Sequence, residues 1–193
     1  ALPGVSFRRN GVVVSTAQGP LVANLDDLPF PARDTAGIAM ARSGWLSMSS
    51  SRGCYGRCTF CSIRAFYGLQ AGRAWRARSP ENVVEEMTWL ARGHRCNRFT
   101  FRDDTFVGPG IRGQERAHAI ADQILRRGLK VEFAVECRAN DVERDLFLHL
   151  CEAGLRVVYI GLESGNQRQL DRFCKGTTVE DGRRALSILS DLG

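Results

Sequence analysis

Lysine is almost missing from this chain: Lys130 and Lys175 are its two, so nearly all of the 27 basic residues are arginine, against 21 acidic ones for a formal net charge of +6. A mildly basic surface suits anionic partners in general. These arginines are scattered rather than gathered into a stripe, which argues against a surface that tracks nucleic acid. Long apolar runs are missing too. The longest, such as Val12-Val13-Val14 and Val157-Val158-Tyr159-Ile160, fall far short of the roughly 20 residues a membrane helix needs. Residues 1–10 hold no basic start followed by an apolar run and no initiator Met, which points to no secretory signal, a trimmed or excised segment and a cytoplasmic location. A disulfide framework is also excluded, because it needs an even cysteine count in a much shorter chain than 193 residues with seven thiols.

The 44% apolar content is enough for one sizeable core, so one domain, or one domain with a short appendage, is expected. The stretch 5–16 alternates weakly around Asn10-Gly11, a pair that favours a tight hairpin turn. In 25–34, Pro29 and Pro31 forbid a helix, giving an extended linker with Leu28 and Phe30 as its anchors. From Gly44 onward, strand-like runs alternate with amphipathic helices, the pattern of βα units on a parallel sheet. Strands are expected at 45–48, 98–102, 130–136 and 157–161. The first helix opens at Ser79 with Pro80 and Glu81 in its first turn, buries Val83, Met87, Leu90 and Ala91, and ends at Gly93. The second buries Ala117, Ile120, Ala121, Ile124 and Leu125 and closes at Gly128; the third runs from Asp141 as N-cap to Gly154. A short helix near 167–173 and another after Thr178, with Asp181 completing a capping box, close the chain. A closed eight-unit barrel takes about 250 residues. The expected fold is therefore α/β, a partial (β/α) barrel that stops after about four units, with its reactive groups on loops beyond the C-terminal ends of the strands.

Beyond the first strand stands Cys54-Tyr55-Gly56-Arg57-Cys58-Thr59-Phe60-Cys61, a C-x3-C-x2-C arrangement. Three thiolates on a short loop can hold three corners of a cuboidal iron-sulfur cluster, with Gly53 and Gly56 letting the backbone fold tightly around it. The fourth iron is then open to a substrate or cofactor. A structural zinc site needs four ligands, and the next ones available, His94 and Cys96, lie at the start of the second strand, the opposite end of the barrel. Cys96, Cys137, Cys151 and Cys174 stand singly and are read as small buried apolar residues.

The triad, with an aromatic residue before its third cysteine at the end of a first barrel strand, resembles the radical S-adenosylmethionine (SAM) superfamily. That resemblance implies a [4Fe-4S] cluster on Cys54, Cys58 and Cys61 whose open iron chelates the amino and carboxylate groups of SAM, and reductive cleavage of SAM to a 5′-deoxyadenosyl radical. Phe60 would lie by the adenine. Asp103-Asp104 stands where the family has a Gly-Gly-Glu segment addressing the SAM amino group, and Glu136 and Glu163 are similar to its polar contacts to the sulfonium, ribose or amino group. Lys175 and Arg138 compete for the SAM carboxylate. The linker 25–34 and the stretches 66–80 and 101–106 resemble the subgroup in which a cobalamin-binding domain precedes the radical core. Residues 1–34 then end that domain and its linker, and 35–193 form the N-terminal part of the barrel. The resemblance implies methyl transfer to a small-molecule substrate, or alternatively a radical oxidation or ring closure as in porphyrin cyclase-like members, fed by an external electron donor. A methylthiotransferase fits less well around the second strand.

Two other readings compete. A metal- or cluster-stabilised RNA-binding module would bind RNA with a steep salt dependence and leave SAM intact. Gly108-Pro109-Gly110-Ile111-Arg112-Gly113 matches the dinucleotide pattern G-x-G-x-x-G, with Glu132 about twenty residues on. Its first glycine, however, is displaced from the strand end by residues that include Asp103 and Asp104, whose charges oppose a pyrophosphate.

Overall fold

The computed structural model describes residues 2–193. It begins with an antiparallel hairpin of β1 (Ser6–Arg9) and β2 (Val12–Ser15). Asn10 and Gly11 take φ of 51° and 83°, the two left-handed positions of a type I′ turn. The linker departs from a simple extended path: Leu25–Asp27 form a 3-10 turn capped by the Asn24 side chain, and Leu25 is the fully buried anchor. Leu28 and Phe30 are half-buried. Phe30 packs on Trp89 at 6.1 Å between ring centroids, with the Arg78 guanidinium 5.3 Å over its ring.

Helix α1 (Ala36–Ser43) intervenes before the first strand, a helix the sequence does not announce: Thr35 gives it no side-chain cap, and Gly37 sits in its first turn. It ends at Gly44, whose φ of 71° suits a glycine. There follow β3 (Leu46–Met48), β4 (Ser51–Arg52), α2 (Ser62–Gly68), β5 (Arg76–Ala77), α3 (Pro80–Gly93), β6 (Arg98–Phe101), α4 (Gly110–Arg126), β7 (Glu132–Arg138), α5 (Arg144–Ala153), β8 (Leu155–Gly161), α6 (Gln167–Arg172) and α7 (Val179–Leu192). Strands β3, β6, β7 and β8 form one parallel sheet in that order, and β4 pairs separately with β5. The α/β class expected from the alternation is the one observed.

The helix caps were readable locally. The Ser79 hydroxyl accepts from Asn82 N at 3.2 Å, and Thr178 and Asp181 form the reciprocal capping box. Other boundaries shift. Strand β7 starts two residues later than expected and carries on through Arg138. Asp141 is not the N-cap of α5; Glu143 is, and Asp141 closes a 3-10 turn, Ala139–Asp141. Leu125 is exposed and Ala91 half-buried.

Strand alternation divides the sheet into two faces. Leu46, Met48, Phe99, Phe101, Phe133 and Val135 are buried in the core beneath the helices. The opposite face begins with Ser47, Thr100 and Ala134, which stand side by side in register, and continues along β7 with Glu136 and Arg138. Small and polar side chains thus leave open space on that face, which becomes the cavity side.

Glu86 of α3, only 1% exposed, pairs with both Arg33 of the linker and Arg78. Those two arginines also donate to the carbonyls of Ser47 and Ser49, each at 2.8 Å, so one carboxylate ties linker, helix and the end of β3 together. Glu86→Ala leaves two largely buried guanidiniums without their anion, and we expect a loss of about 3–5 kcal/mol, read as a lower urea midpoint at unchanged slope.

Candidate active site

A parallel strand that ends must satisfy its last backbone groups elsewhere. After β3 this falls to two adjacent acids at the end of β6. Asp103, 2% exposed, accepts from Ser50 N at 2.7 Å, Ser51 N at 3.1 Å and the Ser50 hydroxyl. Burial pushes its carboxyl above the ordinary value, opposed by those hydrogen bonds and the charge of Arg116. Asp104 accepts from Gly53 N at 2.8 Å. Gly53 has φ 84°, and a Cβ there would lie 1.8 Å from the Ala74 carbonyl oxygen, so this turn into the cysteine loop admits only glycine.

The loop then presents Cys54, Cys58 and Cys61, with Cys58 buried and the other two half-buried. Cys54 Sγ accepts from Gly56 N at 3.3 Å. Burial raises the Cys54 thiol, while that N–H and the Arg138 charge pull it down. All three cysteines line one cavity of about 660 Å³, together with Phe60, Asp104, Glu136, Arg138, Glu163 and Lys175. Nine of the ten site residues expected from the sequence therefore meet in one place. Asp103 does not: its carboxylate is spent beneath the loop on Ser50 and Ser51.

Three thiols lining one roomy cavity leave space for a multinuclear cluster. The zinc alternative also loses its remaining ligands, since His94 packs on Trp89 and the buried Cys96 thiol donates to the Arg98 carbonyl. Of the single cysteines, Cys96 and Cys137 are buried as expected, but Cys151 is half-buried and Cys174 exposed.

Opposite the thiols, Lys175 Nζ donates to Glu163 Oε1 at 3.0 Å, with the lysine 5% exposed. Glu163 and Cys174, the latter adjoining Lys175, take positive φ of 62° and 49°, conformations that non-glycine residues adopt at a cost where surrounding structure demands it. Gly161 leaves the pair its space: a Cβ there would lie 2.7 Å from Glu163 Oε1 and 2.9 Å from Lys175 Nζ. Phe60 is exposed and meets Phe173 edge-on at 5.2 Å.

Several residues of the site carry no local signal in the sequence. The Tyr55 hydroxyl donates to Asp141, accepts from Asn140 Nδ2 at 3.2 Å, and is pushed well above its ordinary value by burial and by Asp141. Thr105 Oγ1 donates to Asp141 at 3.3 Å, and burial raises the Asp141 carboxyl. Arg116 of α4 donates to the Ser50 carbonyl at 2.7 Å and to that of Arg78 at 2.9 Å; its burial pulls it down to about 10. The glycine pattern at 108–113 serves packing. A Cβ on Gly108 would lie 2.2 Å from Trp75, one on Gly113 2.6 Å from the Gly108 backbone, and Glu132 pairs with Arg98.

Comparison with known proteins agrees with this geometry. The Radical SAM superfamily model matches residues 48–193. Over 98% of its length the chain is 30% identical to an uncharacterized methyltransferase of Pyrococcus horikoshii, and over 96% it is 26% identical to the anaerobic magnesium-protoporphyrin IX monomethyl ester cyclase of Synechocystis sp.. Among solved structures it is similar to the cobalamin-dependent S-adenosylmethionine radical enzyme OxsB with aqua-cobalamin and S-adenosylmethionine bound, at a TM-score of 0.80 and 27% identity over 97% of the chain. It spans 40%, 36% and 28% of those proteins respectively. A cysteine triad at the mouth of a parallel sheet, matched by a family model over most of the chain, establishes that this chain belongs to the radical SAM superfamily.

Proposed function

We propose that this chain is the cluster- and SAM-binding core of a cobalamin-dependent radical SAM methyltransferase acting on a small molecule. The observation that carries the reading is the meeting, across one cavity, of three thiols and the Lys175–Glu163 pair. The superfamily implies a [4Fe-4S] cluster and SAM, and together these supply a 5′-deoxyadenosyl radical when an electron cleaves the sulfonium. Cys54, Cys58 and Cys61 hold the cluster and leave one iron without a protein ligand.

The residues divide the work of holding SAM. Arg138 has its fork turned to the Cys58 thiol and the Lys175 carbonyl, so Lys175 takes the SAM carboxylate by exchanging it for Glu163. Glu163, once released, accepts from the SAM amino group. Glu136 accepts from ribose or amino donors, and Phe60 gives the adenine an apolar wall. Asp104 keeps the loop in place through one carboxylate oxygen on Gly53 N, and as part of the cavity lining it faces SAM from that loop. Residues 1–34 are read as the end of a cobalamin-binding domain and its linker, and 35–193 as the start of the barrel. An external one-electron donor completes the set. The likeness to OxsB, solved with both cobalamin and SAM, supports this assignment, while the likeness to a cyclase keeps ring closure as the second reading.

Full-length protein reconstituted anaerobically with iron and sulfide is expected to bind iron and, with a reductant, release 5′-deoxyadenosine from SAM. The Cys54→Ala, Cys58→Ala, Cys61→Ala triple variant is expected to do neither, and cleavage by that variant would refute the cluster assignment. With SAM carrying a trideuteriomethyl group, mass spectrometry is expected to find the label in the extracted corrinoid. An unlabelled corrinoid, with SAM cleavage intact, would favour cyclisation over methyl transfer. RNA binding that weakens steeply with salt, in protein that leaves SAM whole, would favour the RNA-binding module instead.

A further inference from the structure

Arg138, at the end of β7, is 6% exposed, and none of the ion pairs among the described residues includes it. A buried cation is costly unless an anion stands beside it. The Asp141 carboxylate accepts the Arg138 backbone N–H and feels its charge but makes no ion pair with the guanidinium, whose fork reaches a cysteine sulfur instead. Nη1 lies 3.8 Å from Cys58 Sγ, and Nη2 donates to the Lys175 carbonyl. The guanidinium lies 5.2 Å over the Tyr55 ring, which Asp141 and Asn140 hold by its hydroxyl. Gly56 keeps the approach open, because a Cβ there would lie 2.5 Å from Nη1. Nε is buried and has no partner among the described residues. The side chain is thus clamped on two sides, aimed at the cysteine loop, and left with donor capacity unused.

We propose that Arg138 is the counter-ion of the cluster, a positioning residue that donates an N–H to the Cys58 thiolate and raises the cluster's reduction potential. This rests on the reading of Cys54, Cys58 and Cys61 as cluster ligands. When an external one-electron donor supplies an electron, the thiolate-bound cluster gains one negative charge, and that charge develops beside the guanidinium. A fixed cation and an N–H to a ligand sulfur both favour the more negative form. Arg138 therefore stabilises the reduced cluster more than the oxidised one. Tyr55 contributes by holding the guanidinium on its ring face, where the cation is attracted.

The test is a redox titration of the SAM-free, anaerobically reconstituted full-length protein, followed by electron paramagnetic resonance. Arg138→Gln is expected to shift the midpoint to lower potential at unchanged iron and sulfide content, and Arg138→Lys to recover part of the shift. Gly56→Ala keeps every charge and every ligand residue; its Cβ would lie 2.5 Å from Nη1 and at ordinary contact, 3.4 Å, from Cys54 Sγ, so with iron and sulfide content unchanged it is expected to lower the midpoint as well. Wild-type midpoints in both Arg138→Gln and Gly56→Ala overturn the proposal, as does a loss of SAM affinity in Arg138→Gln with the midpoint unmoved. Should Arg138→Gln lose iron, Gly56→Ala and Arg138→Lys decide by the same criterion. Wild-type protein that assembles no cluster overturns instead the ligand reading beneath the proposal.

Discussion

The carboxylate of Asp103, sealed beneath the cysteine loop, is the contact on which the site depends. At the end of β3 the backbone leaves the sheet, and Ser50 and Ser51 would bury N–H groups with no strand to receive them. Each such orphan costs about 1–3 kcal/mol. Asp103 takes both, Asp104 takes Gly53, and Arg116 answers the Ser50 carbonyl from α4. The path of residues 50–53 is thereby fixed by β6 and α4 before the first cysteine is reached, and the thiols open towards β7 and β8.

The cavity's electrostatics follow from what surrounds that loop. Arg138 and Lys175 are both buried there; Glu163 pairs with Lys175, and no ion pair among the described residues includes Arg138. A buried cation beyond the Lys175–Glu163 pair makes a pocket that suits further negative charge, which thiolates and the carboxylate of a ligand supply. Glu163 and Cys174 take left-handed backbone conformations beside the Lys175–Glu163 pair, and Gly161 leaves room for it.

How much of this was legible follows from the range of each interaction. Local ones were readable: the Asn10-Gly11 turn, the Ser79 cap, the Thr178–Asp181 box and the cysteine spacing each involve residues close in the chain. The cluster loop's position at a strand end was readable too, because strand and loop are consecutive. What sequence could not supply are contacts across long separations. Asp141 has the composition of an N-cap, but Tyr55, distant in the chain, claims its carboxylate and moves the helix start to Arg144. Asp103 and Asp104 look alike in sequence, yet one lies under the loop and the other lines the cavity. Glu86 reads as one more charge on α3 until Arg33 and Arg78 fold onto it.

A cluster held by three cysteines would leave its remaining iron free to bind SAM. Pulsed electron paramagnetic resonance of the reduced protein with SAM carrying a nitrogen-15 amino group tests it most directly. Hyperfine coupling between the label and the cluster is expected; protein that binds SAM and carries the reduced cluster, yet shows no coupling, would mean that SAM does not bind the open iron.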